Sequence, residues 1–235
     1  MKTELDLKQM NAMYAGMTVE EVVGDFVDRF GERVALASSL GMEDQVLTDI
    51  ACRARPGTRV FTIDTGRLFP ETYRLIDRTA TRYGIKIDLF FPEREAVERM
   101  TRAGGVNLFY KSIEKRKECC QTRKLEPLRR AFAGLEAWMC GLRREQSVTR
   151  QEVQLVEWDQ VNGLYKLNPL ATWTEREVRD YVVARGVPYN RMHDEGYPSI
   201  GCEPCTRAVE PGDDPRAGRW WWESPAHKEC GLHRR

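Results

Sequence analysis

The stretch VALASSLGMEDQVL, residues 34–47, decides the fold of this chain. Val34–Ala37 is a short apolar run of the kind found in buried strands. Polar residues and Gly41 follow at once, and a helix is predicted over Glu43–Arg53. A strand that passes through a short loop into a helix is the repeating unit of parallel α/β sheets.

The same alternation of strand and helix continues along the chain. A capping box from Thr18 to Glu21 opens an amphipathic helix that ends at Gly31. Further apolar runs predict strands at Arg59–Ile63, 85–91 and Leu135–Cys140, and helices from the DTGRLFPET loop to near Gly84 and over Thr174–Arg185. This alternation favours an α/β fold with a parallel sheet and right-handed crossovers.

Length and composition indicate one folded domain. Of the 235 residues, 41% are hydrophobic and 31% charged, which is enough apolar sequence for a substantial core. We expect a single domain over 1–235, with a helical segment (1–30), an α/β core (31–185) and a C-terminal segment (186–235).

The net charge of +1 gives no global attraction to nucleic acid or membranes. No apolar run reaches the ~20 residues of a membrane span and no signal-peptide core is present, so a cytoplasmic location is expected.

Two loops at successive strand ends are candidates for a nucleotide site. Ligands of open α/β sheets bind beyond the carboxyl ends of strands, where loops enter helix N-termini. Ser38–Asp44 and Asp64–Leu68 both lie there and carry hydroxyls, a glycine and acidic groups. Neither has the Gly-Lys-Ser/Thr of a triphosphate-binding loop. The alternative interpretation is an ordinary capped turn.

Four cysteines occur as two close pairs, Cys119-Cys120 and Cys202-Glu-Pro-Cys205. In a reducing compartment such thiols indicate metal binding or catalysis rather than disulfides. Zinc would need all four sulfurs about 3.8 Å apart around one ion, whereas neighbouring helical residues diverge by roughly 100°. An iron–sulfur cluster is favoured because each thiolate then binds its own iron. Zinc and unligated thiols stay as alternatives.

The remaining cysteines and the nearby cations differ in character. Several cations lie near the vicinal pair Cys119-Cys120 in the sequence: Lys115, Arg116, Lys117, Arg123 and Lys124. Their charge would stabilise an anionic cluster. For residues 115–117 the alternative interpretation is a solvated helix face. Cys52 and Cys140 lie in apolar elements and are predicted to be core residues. Cys230 is the spare thiol; basic neighbours such as His227 and Lys228 favour a lower pKa for it, and Glu229 opposes them.

Together the motifs carry a specific resemblance. In order they are SSLGMEDQVL, DTGRLFPETY, KECCQTRKLEPLRR, LYKLNPLATW, GYPSIGCEPCTR, GRWWWE and KECGLH. This series resembles the thioredoxin-dependent assimilatory adenylyl-sulfate reductases of the phosphoadenylyl-sulfate reductase family, from about Val34 onward. The loop departs from the family's usual aromatic or small residues at Leu40 and Met42, which puts its side-chain contacts in question.

The resemblance implies a Rossmann-like sheet of the adenine-nucleotide α-hydrolase type, with a C-terminal tail folding over the active site. It implies a [4Fe-4S] cluster on Cys119, Cys120, Cys202 and Cys205, with Cys230 as the nucleophile. The implied substrate-binding residues hold the adenosine and the phosphosulfate, with Lys124 between cluster and substrate: Ser38, Ser39, Gly41, Asp64, Gly66, Arg67, Leu68, Lys124, Gly141, Arg143, Arg144, Arg216, Arg219 and His233.

The implied reaction is the reduction of adenylyl sulfate to sulfite and AMP by thioredoxin, through an S-sulfocysteine, in assimilatory sulfate reduction and cysteine biosynthesis. The full set of cluster cysteines favours adenylyl sulfate as the substrate. Use of 3′-phosphoadenylyl sulfate, or of both nucleotides, stays open. A homo-oligomer also stays open. A tRNA-thiolating enzyme would need a Ser-Gly-Gly-x-Asp-Ser loop and a basic surface. A cluster-based redox sensor would not need Cys230.

Overall fold

The computed structural model of the protein describes residues 5–146 and 150–224. The helices are α1 Leu7–Tyr14, α2 Val19–Phe30, α3 Met42–Ala54, α4 Pro70–Tyr83, α5 Arg94–Gly104, α6 Ile113–Cys120, α7 Glu126–Ala131 and α8 Glu175–Arg185. The strands are β1 Val34–Ala37, β2 Val60–Ile63, β3 Ile87–Phe90, β4 Ala137–Met139, β5 Val156–Asp159 and β6 Leu164–Leu167. Each helix and strand predicted from the sequence is therefore confirmed, with boundaries shifted by no more than two residues.

The strands form one six-stranded sheet in the order β3-β2-β1-β4-β6-β5. Strand β1 pairs in parallel with both β2 and β4, so that Leu36 lies beside Val60 on one side and Met139 on the other. Strand β6 continues the parallel pairing from β4, and β5 joins β6 antiparallel. This confirms the predicted Rossmann-like parallel sheet and adds an antiparallel edge hairpin, β5–β6, that we did not predict.

The chain divides into two compact units. The first, called here the sheet unit, comprises Met1–Phe61, Leu75–Ile87 and Gly134–Tyr189. The second, called the cysteine unit, comprises Thr62–Arg74, Asp88–Ala133 and Asn190–Arg235. The expectation of a single domain over 1–235 with segments 1–30, 31–185 and 186–235 stays a prediction.

The core of the sheet unit is built by amphipathic helices on the strands. Helix α2 buries Val23 and Phe26 completely, and its Thr18 capping box has both of the expected hydrogen bonds. Helix α1 protects the outer strand β5, because the Asn11 side chain accepts from the amide of Val156 (3.0 Å) and donates to its carbonyl (2.8 Å). The side chain thus occupies hydrogen-bonding positions of an absent neighbouring strand.

Within residues 5–146 and 150–224, no helix is long and apolar enough to cross a membrane. The longest of the helices described above, α4, has 14 residues. A helix needs about 20 residues to span the hydrocarbon layer of a bilayer.

A buried carboxylate joins the loops that follow β1 and β4. Asp44, in the first turn of α3, accepts from the Ser39 amide (2.7 Å) and hydroxyl (2.6 Å) and from the Gly141 amide (2.8 Å). A β-carbon added to Gly141 would lie 2.8 Å from both Asp44 Oδ1 and Glu43 Cβ. The close approach of the two loops therefore requires glycine at position 141.

We expect Gly141→Ala to lower the free energy of unfolding by about 1–3 kcal/mol, because the methyl group must push the two loops apart. The measurement is the urea midpoint of unfolding. Gly16→Ala is the matched control, since the nearest atom to its added β-carbon is 3.9 Å away. Equal midpoints for the two variants would show that the contact between the loops is not tightly packed.

Candidate functional site

The loop after β1 is held by hydrogen bonds from its own amides to the Ser38 and Ser39 hydroxyls. The Leu40 amide donates to Ser38 Oγ (3.1 Å) and the Gly41 amide to Ser39 Oγ (3.4 Å). Gly41 is the N-cap of α3, so the loop delivers the positive end of a 13-residue helix. The sequence therefore places two hydroxyls, Ser38 and Ser39, next to a helix N-terminus.

The two unusual residues of this loop turn out to be core residues. Leu40 is buried against Leu75 and Ile76, and Met42 is buried in the main core of the sheet unit. Leu40 has a φ of 61°, a left-handed conformation that is rare for a residue with a β-carbon. The apolar side chains at these positions thus stabilise the loop from beneath. The loop's hydroxyls are unaffected by the departure from the family pattern.

The loop after β4 adds a buried arginine to the same unit. Arg143 donates through Nε (2.9 Å) and Nη2 (2.8 Å) to Glu43 of α3, and both side chains are largely buried. Arg144 donates through Nε to the carbonyl of Val153 (2.8 Å). The structure therefore brings Ser38, Ser39, Gly41 and Gly141 close together, with Arg143 fixed to the helix that follows the loop.

The second predicted loop lies in the cysteine unit. Asp64 is buried and accepts from the Gly66 amide (2.7 Å) and from the Tyr73 hydroxyl (3.0 Å). Gly66 has a φ of 72°, which suits glycine at this turn. Burial, together with the neighbouring Asp64 carboxylate, raises the pKa of Tyr73 to about 12. Tyr73 thus remains a hydrogen-bond donor to Asp64 at neutral pH.

The other residues predicted to bind substrate from this unit have structural partners. Arg67 donates to the Val106 carbonyl (2.7 Å) and the Asn107 side chain (3.0 Å), and its guanidinium lies 5.0 Å from the Phe109 ring centre. Leu68 follows it in the same loop, before α4. The carbonyl of Arg67 accepts from the amide of Glu203 (2.9 Å), which lies between Cys202 and Cys205 in the sequence.

The four predicted ligand cysteines lie in one apolar cluster. Cys119 and Cys120 end α6, and a π-helical segment, Gln121–Leu125, follows them. Cys202 precedes the short helical turn that contains Cys205. Together with these cysteines, the cluster contains Met100, Leu108, Phe109, Trp220 and Trp222. Two pairs that are about eighty residues apart in sequence thus meet in the cysteine unit.

The thiols of this cluster interact with one another and with nearby polar groups. Thr65 Oγ1 lies 3.2 Å from Cys202 Sγ. Burial raises the pKa of Cys119, opposed by the nearby Arg123 guanidinium. Burial also raises the pKa of Cys205, reinforced by the neighbouring Cys202 thiol. Metal binding would have to displace protons from such thiols.

The donor set fits the [4Fe-4S] prediction by its chemistry. In the part of the chain that the structure describes, no group of three or more His, Cys, Asp or Glu side chains is arranged to hold a metal ion. A cubane cluster makes a different demand, because each thiolate binds its own iron and the sulfurs lie farther apart. The four cysteines lie in one apolar cluster, and four thiol donors suit that demand by their chemistry. The cluster itself stays a prediction.

The cations near the cysteines differ from one another. Arg123 donates to the Thr65 carbonyl (2.7 Å), and Arg219 donates to the Cys205 carbonyl (3.4 Å). Lys124 in the π-helical segment and Arg216 beyond the second pair are both half-buried.

The idea that residues 115–117 form a solvated face is wrong for Arg116, which is fully buried against Glu223. The partner lies 107 residues away, so no local pattern predicts it.

Other predicted residues have different outcomes. Cys140 is buried, as expected for a core residue, whereas Cys52 is only half-buried. Cys230 and His233 lie outside the described residues, so their roles stay predictions. Asp44 and Thr65 were not among the predicted site residues, although each lies inside a loop that the motifs identified.

Comparisons with known proteins agree with this arrangement. The family model for the phosphoadenosine phosphosulfate reductase domain matches residues 33–208. A protein of Allochromatium vinosum named adenosine 5′-phosphosulfate reductase is 53% identical over 204 residues, covering 87% of this chain and 80% of its own. A protein of the same name from Agrobacterium fabrum is 45% identical over 228 residues, covering 97% and 87%.

A solved structure supports the same assignment. The crystal structure of phosphoadenylyl-sulfate reductase from Candida auris, in a phosphate complex, superimposes with a TM-score of 0.74 at 25% sequence identity. The superposition covers 88% of this chain and 99% of that one. These findings confirm the adenine-nucleotide α-hydrolase type of fold and the resemblance read from the motifs. The chain belongs to the phosphoadenosine phosphosulfate reductase family.

Proposed function

We propose that this protein reduces adenylyl sulfate to sulfite and AMP. The observation that carries the proposal is its identity of 53% and 45%, over most of the chain, to two proteins named adenosine 5′-phosphosulfate reductase. The geometry of the cysteine unit adds support, because four thiols lie in one cluster close to several arginines. The reaction belongs to assimilatory sulfate reduction and cysteine biosynthesis, with a cytoplasmic location.

Each unit offers one candidate loop for the nucleotide. In the sheet unit, the Ser38 hydroxyl supplies a donor and the N-terminus of α3 supplies positive potential for an anionic group, while the Ser39 hydroxyl donates to Asp44 and holds the loop in place. In the cysteine unit, the loop Asp64–Leu68 is the second candidate for contact with the adenosine. Arg216, Arg219 and Lys124 carry the positive charge that a phosphosulfate group requires.

The first chemical step transfers a sulfonate group to the enzyme. The Cys230 thiolate attacks the sulfur of adenylyl sulfate, and a bond forms between the two sulfur atoms. The bond from that sulfur to the bridging oxygen breaks, and AMP leaves with the oxygen and the electron pair. The enzyme then carries S-sulfocysteine, and His227 and Lys228 would favour the attacking thiolate.

In the second step, reduced thioredoxin converts S-sulfocysteine back to the free Cys230 thiol and is itself oxidised. One thioredoxin thiolate attacks Cys230 Sγ, and the bond to the sulfonate sulfur breaks, so that sulfite leaves with the electron pair. The second thioredoxin thiol resolves the mixed disulfide and frees Cys230. Two electrons pass from the thioredoxin dithiol, whose potential is about −270 mV, to the sulfur that leaves as sulfite.

The cysteine cluster has a supporting role in this scheme. Cys119, Cys120, Cys202 and Cys205 would hold the [4Fe-4S] cluster. When bound, this group supplies negative charge and cross-links the surrounding segments, without carrying the electrons of the reaction. Arg123 and Arg219 hold the segments around the cysteines through their bonds to the Thr65 and Cys205 carbonyls. A homo-oligomer is compatible with this scheme but is not needed for it.

A second candidate is the same reaction on 3′-phosphoadenylyl sulfate, alone or beside adenylyl sulfate. The observation that favours it is the structural match to a phosphoadenylyl-sulfate reductase. The two candidates differ in one phosphate on the ribose, so kcat/KM with each nucleotide separates them. We expect adenylyl sulfate to be preferred by at least about tenfold, equal to 1.4 kcal/mol of transition-state binding. Equal values would establish dual use.

The nucleophile can be tested without any reductant. Anaerobic protein mixed with adenylyl sulfate should gain one sulfonate group per chain, mapped by mass spectrometry to Cys230 and removed by reduced thioredoxin. Cys230→Ser should gain none while still binding AMP. Cys52→Ser is the control, because desolvation in its half-buried position raises the pKa of Cys52 to about 11, which disfavours the thiolate. Normal sulfite release by Cys230→Ser would contradict the role of Cys230 as the nucleophile.

The predicted ligands can be tested by iron content. Cys202→Ser should lose most of its bound iron and several kcal/mol of unfolding free energy, because cluster binding is coupled to folding. Iron analysis, the visible absorption spectrum and the unfolding midpoint are the measurements. Cys52→Ser should retain its iron and serves again as the control. Full iron content in Cys202→Ser would remove this residue from the ligand set.

A further inference from the structure

Glu43, in the first turn of α3, packs beside both of the glycines that are predicted to bind the nucleotide in the sheet unit. A β-carbon added to Gly141 would lie 2.8 Å from Glu43 Cβ, and one added to Gly41 would lie 3.9 Å from Glu43 Oε2. The Glu43 side chain is 18% exposed. A carboxylate therefore lies next to the loops that are proposed to receive an anionic ligand, and the proposed reaction gives it no role.

Arg143 offsets the charge of this carboxylate. Its Nε (2.9 Å) and Nη2 (2.8 Å) both donate to Glu43 Oε1. Its third nitrogen, Nη1, lies 3.4 Å from both Glu145 Oε2 and the Trp173 carbonyl. The Arg143 side chain is only 6% exposed. All three guanidinium nitrogens thus have partners within the sheet unit, and one positive charge faces two carboxylates.

These contacts leave Arg143 poorly suited to hold a phosphosulfate group. A guanidinium binds such a group best through two parallel N–H bonds from one planar edge. Here the edge formed by Nε and Nη2 is occupied by Glu43. The charge that would attract the anion is offset by the Glu43 and Glu145 carboxylates. Turning the guanidinium toward a ligand would leave Glu43 as a largely buried carboxylate without its partner, which is costly.

The loop after β4 is anchored independently of the Arg143 side chain. The Gly141 amide donates to Asp44 Oδ1 (2.8 Å), and the Arg144 amide donates to the Ala171 carbonyl (3.0 Å). Both bonds involve backbone amides of the loop, on either side of Arg143 in the sequence. Replacement of the guanidinium should therefore change the charge beside Gly41 and Gly141 more than it changes the shape of the loop.

We propose that Arg143 supports nucleotide binding by neutralising Glu43 beside the loops after β1 and β4, and does not itself contact the phosphosulfate group. The proposal rests on the proposed function. Without the guanidinium, the Glu43 carboxylate would repel an anion bound at these loops, most strongly one with two negative charges such as adenylyl sulfate. Arg143 acts through Glu43, so both are positioning residues and neither is catalytic.

Arg143→Met is the first test. Calorimetry measures the binding of adenosine, which is neutral, and of adenylyl sulfate, in chains that all carry Cys230→Ser so that no adduct is expected to form. The affinity for adenylyl sulfate should fall about tenfold or more, because an unpaired carboxylate then faces the anion. The affinity for adenosine should stay within about threefold, because a neutral ligand is not repelled. An equal fall for both ligands, or no fall for adenylyl sulfate, would overturn the proposal.

A second substitution, Glu43→Gln, separates neutralisation from direct contact. The double variant with Arg143→Met removes both charges of the pair, so no unpaired buried charge is left behind. We expect the double variant to bind adenylyl sulfate within about threefold of the affinity of the unaltered pair. A direct contact with the phosphosulfate group would be lost in both variants, and the affinity would then stay about tenfold or more below normal. The double variant alone decides the matter if Arg143→Met fails to fold.

The control is an exposed ion pair of the same unit. Arg176 and Asp180 lie 3.6 Å apart in α8, with side chains 90% and 71% exposed. Arg176→Met, alone and together with Asp180→Asn, should bind both ligands as the unaltered pair does, because water already screens these charges. A loss of about tenfold for adenylyl sulfate in Arg176→Met would show that removal of any cation weakens binding, and would overturn the proposal.

The outcomes separate this proposal from the proposed function. If the chain with the unaltered pair does not bind adenylyl sulfate, the proposed function fails and this proposal fails with it. If that chain binds adenylyl sulfate and the double variant does not recover the affinity, only the proposal for Arg143 is overturned, and its guanidinium contacts the substrate. Weak binding in Arg143→Met that is restored by Glu43→Gln supports the proposal.

Discussion

The fold depends on one constraint: a carboxylate can be buried only where donors fully replace its water. Asp44 in the sheet unit and Glu223 in the cysteine unit are two such groups. Asp44 accepts three hydrogen bonds from Ser39 and Gly141, and Glu223 accepts two from Arg116. Removing one partner of a buried charged pair typically costs about 3–5 kcal/mol, because the other charge is left unpaired. The contacts that close each unit are therefore specific, and a different arrangement of the same segments would leave a charge without a partner.

These buried carboxylates lie where the predicted chemistry is concentrated. Asp44 fixes the loop that carries the Ser38 and Ser39 hydroxyls, and it does so in the first turn of the helix whose N-terminus attracts anions. Glu223 is held by the arginine one turn before Cys120. Local rigidity is what an anion site and a multi-thiol site both require, because flexible donors lose entropy on binding. The sheet unit thus suits recognition of an anionic nucleotide, and the cysteine unit suits a thiolate-bound group.

The sequence predicts the local elements well and the distant contacts poorly. Helix α2 and strand β1 were predictable because capping and apolar spacing are properties of neighbouring residues. The β5–β6 hairpin was missed, although Asn162-Gly163 at its turn is a recognisable hairpin dipeptide. The pairing of Arg116 with Glu223 spans 107 residues, and that of Asp44 with Gly141 spans 97. Such partners are chosen by tertiary packing, which leaves no periodic trace in the sequence.

Thiol chemistry favours a nucleophile other than the buried cysteines. Burial raises the pKa of Cys52 to about 11 and that of Cys140 to about 12. At neutral pH each is therefore almost entirely protonated, and a protonated thiol is a poor nucleophile. The same burial that makes a cysteine a good core residue or a protected ligand therefore makes it a poor nucleophile. Lys228 lies near Cys230 in the sequence and would favour its thiolate, which is why we propose Cys230 rather than a buried cysteine as the nucleophile.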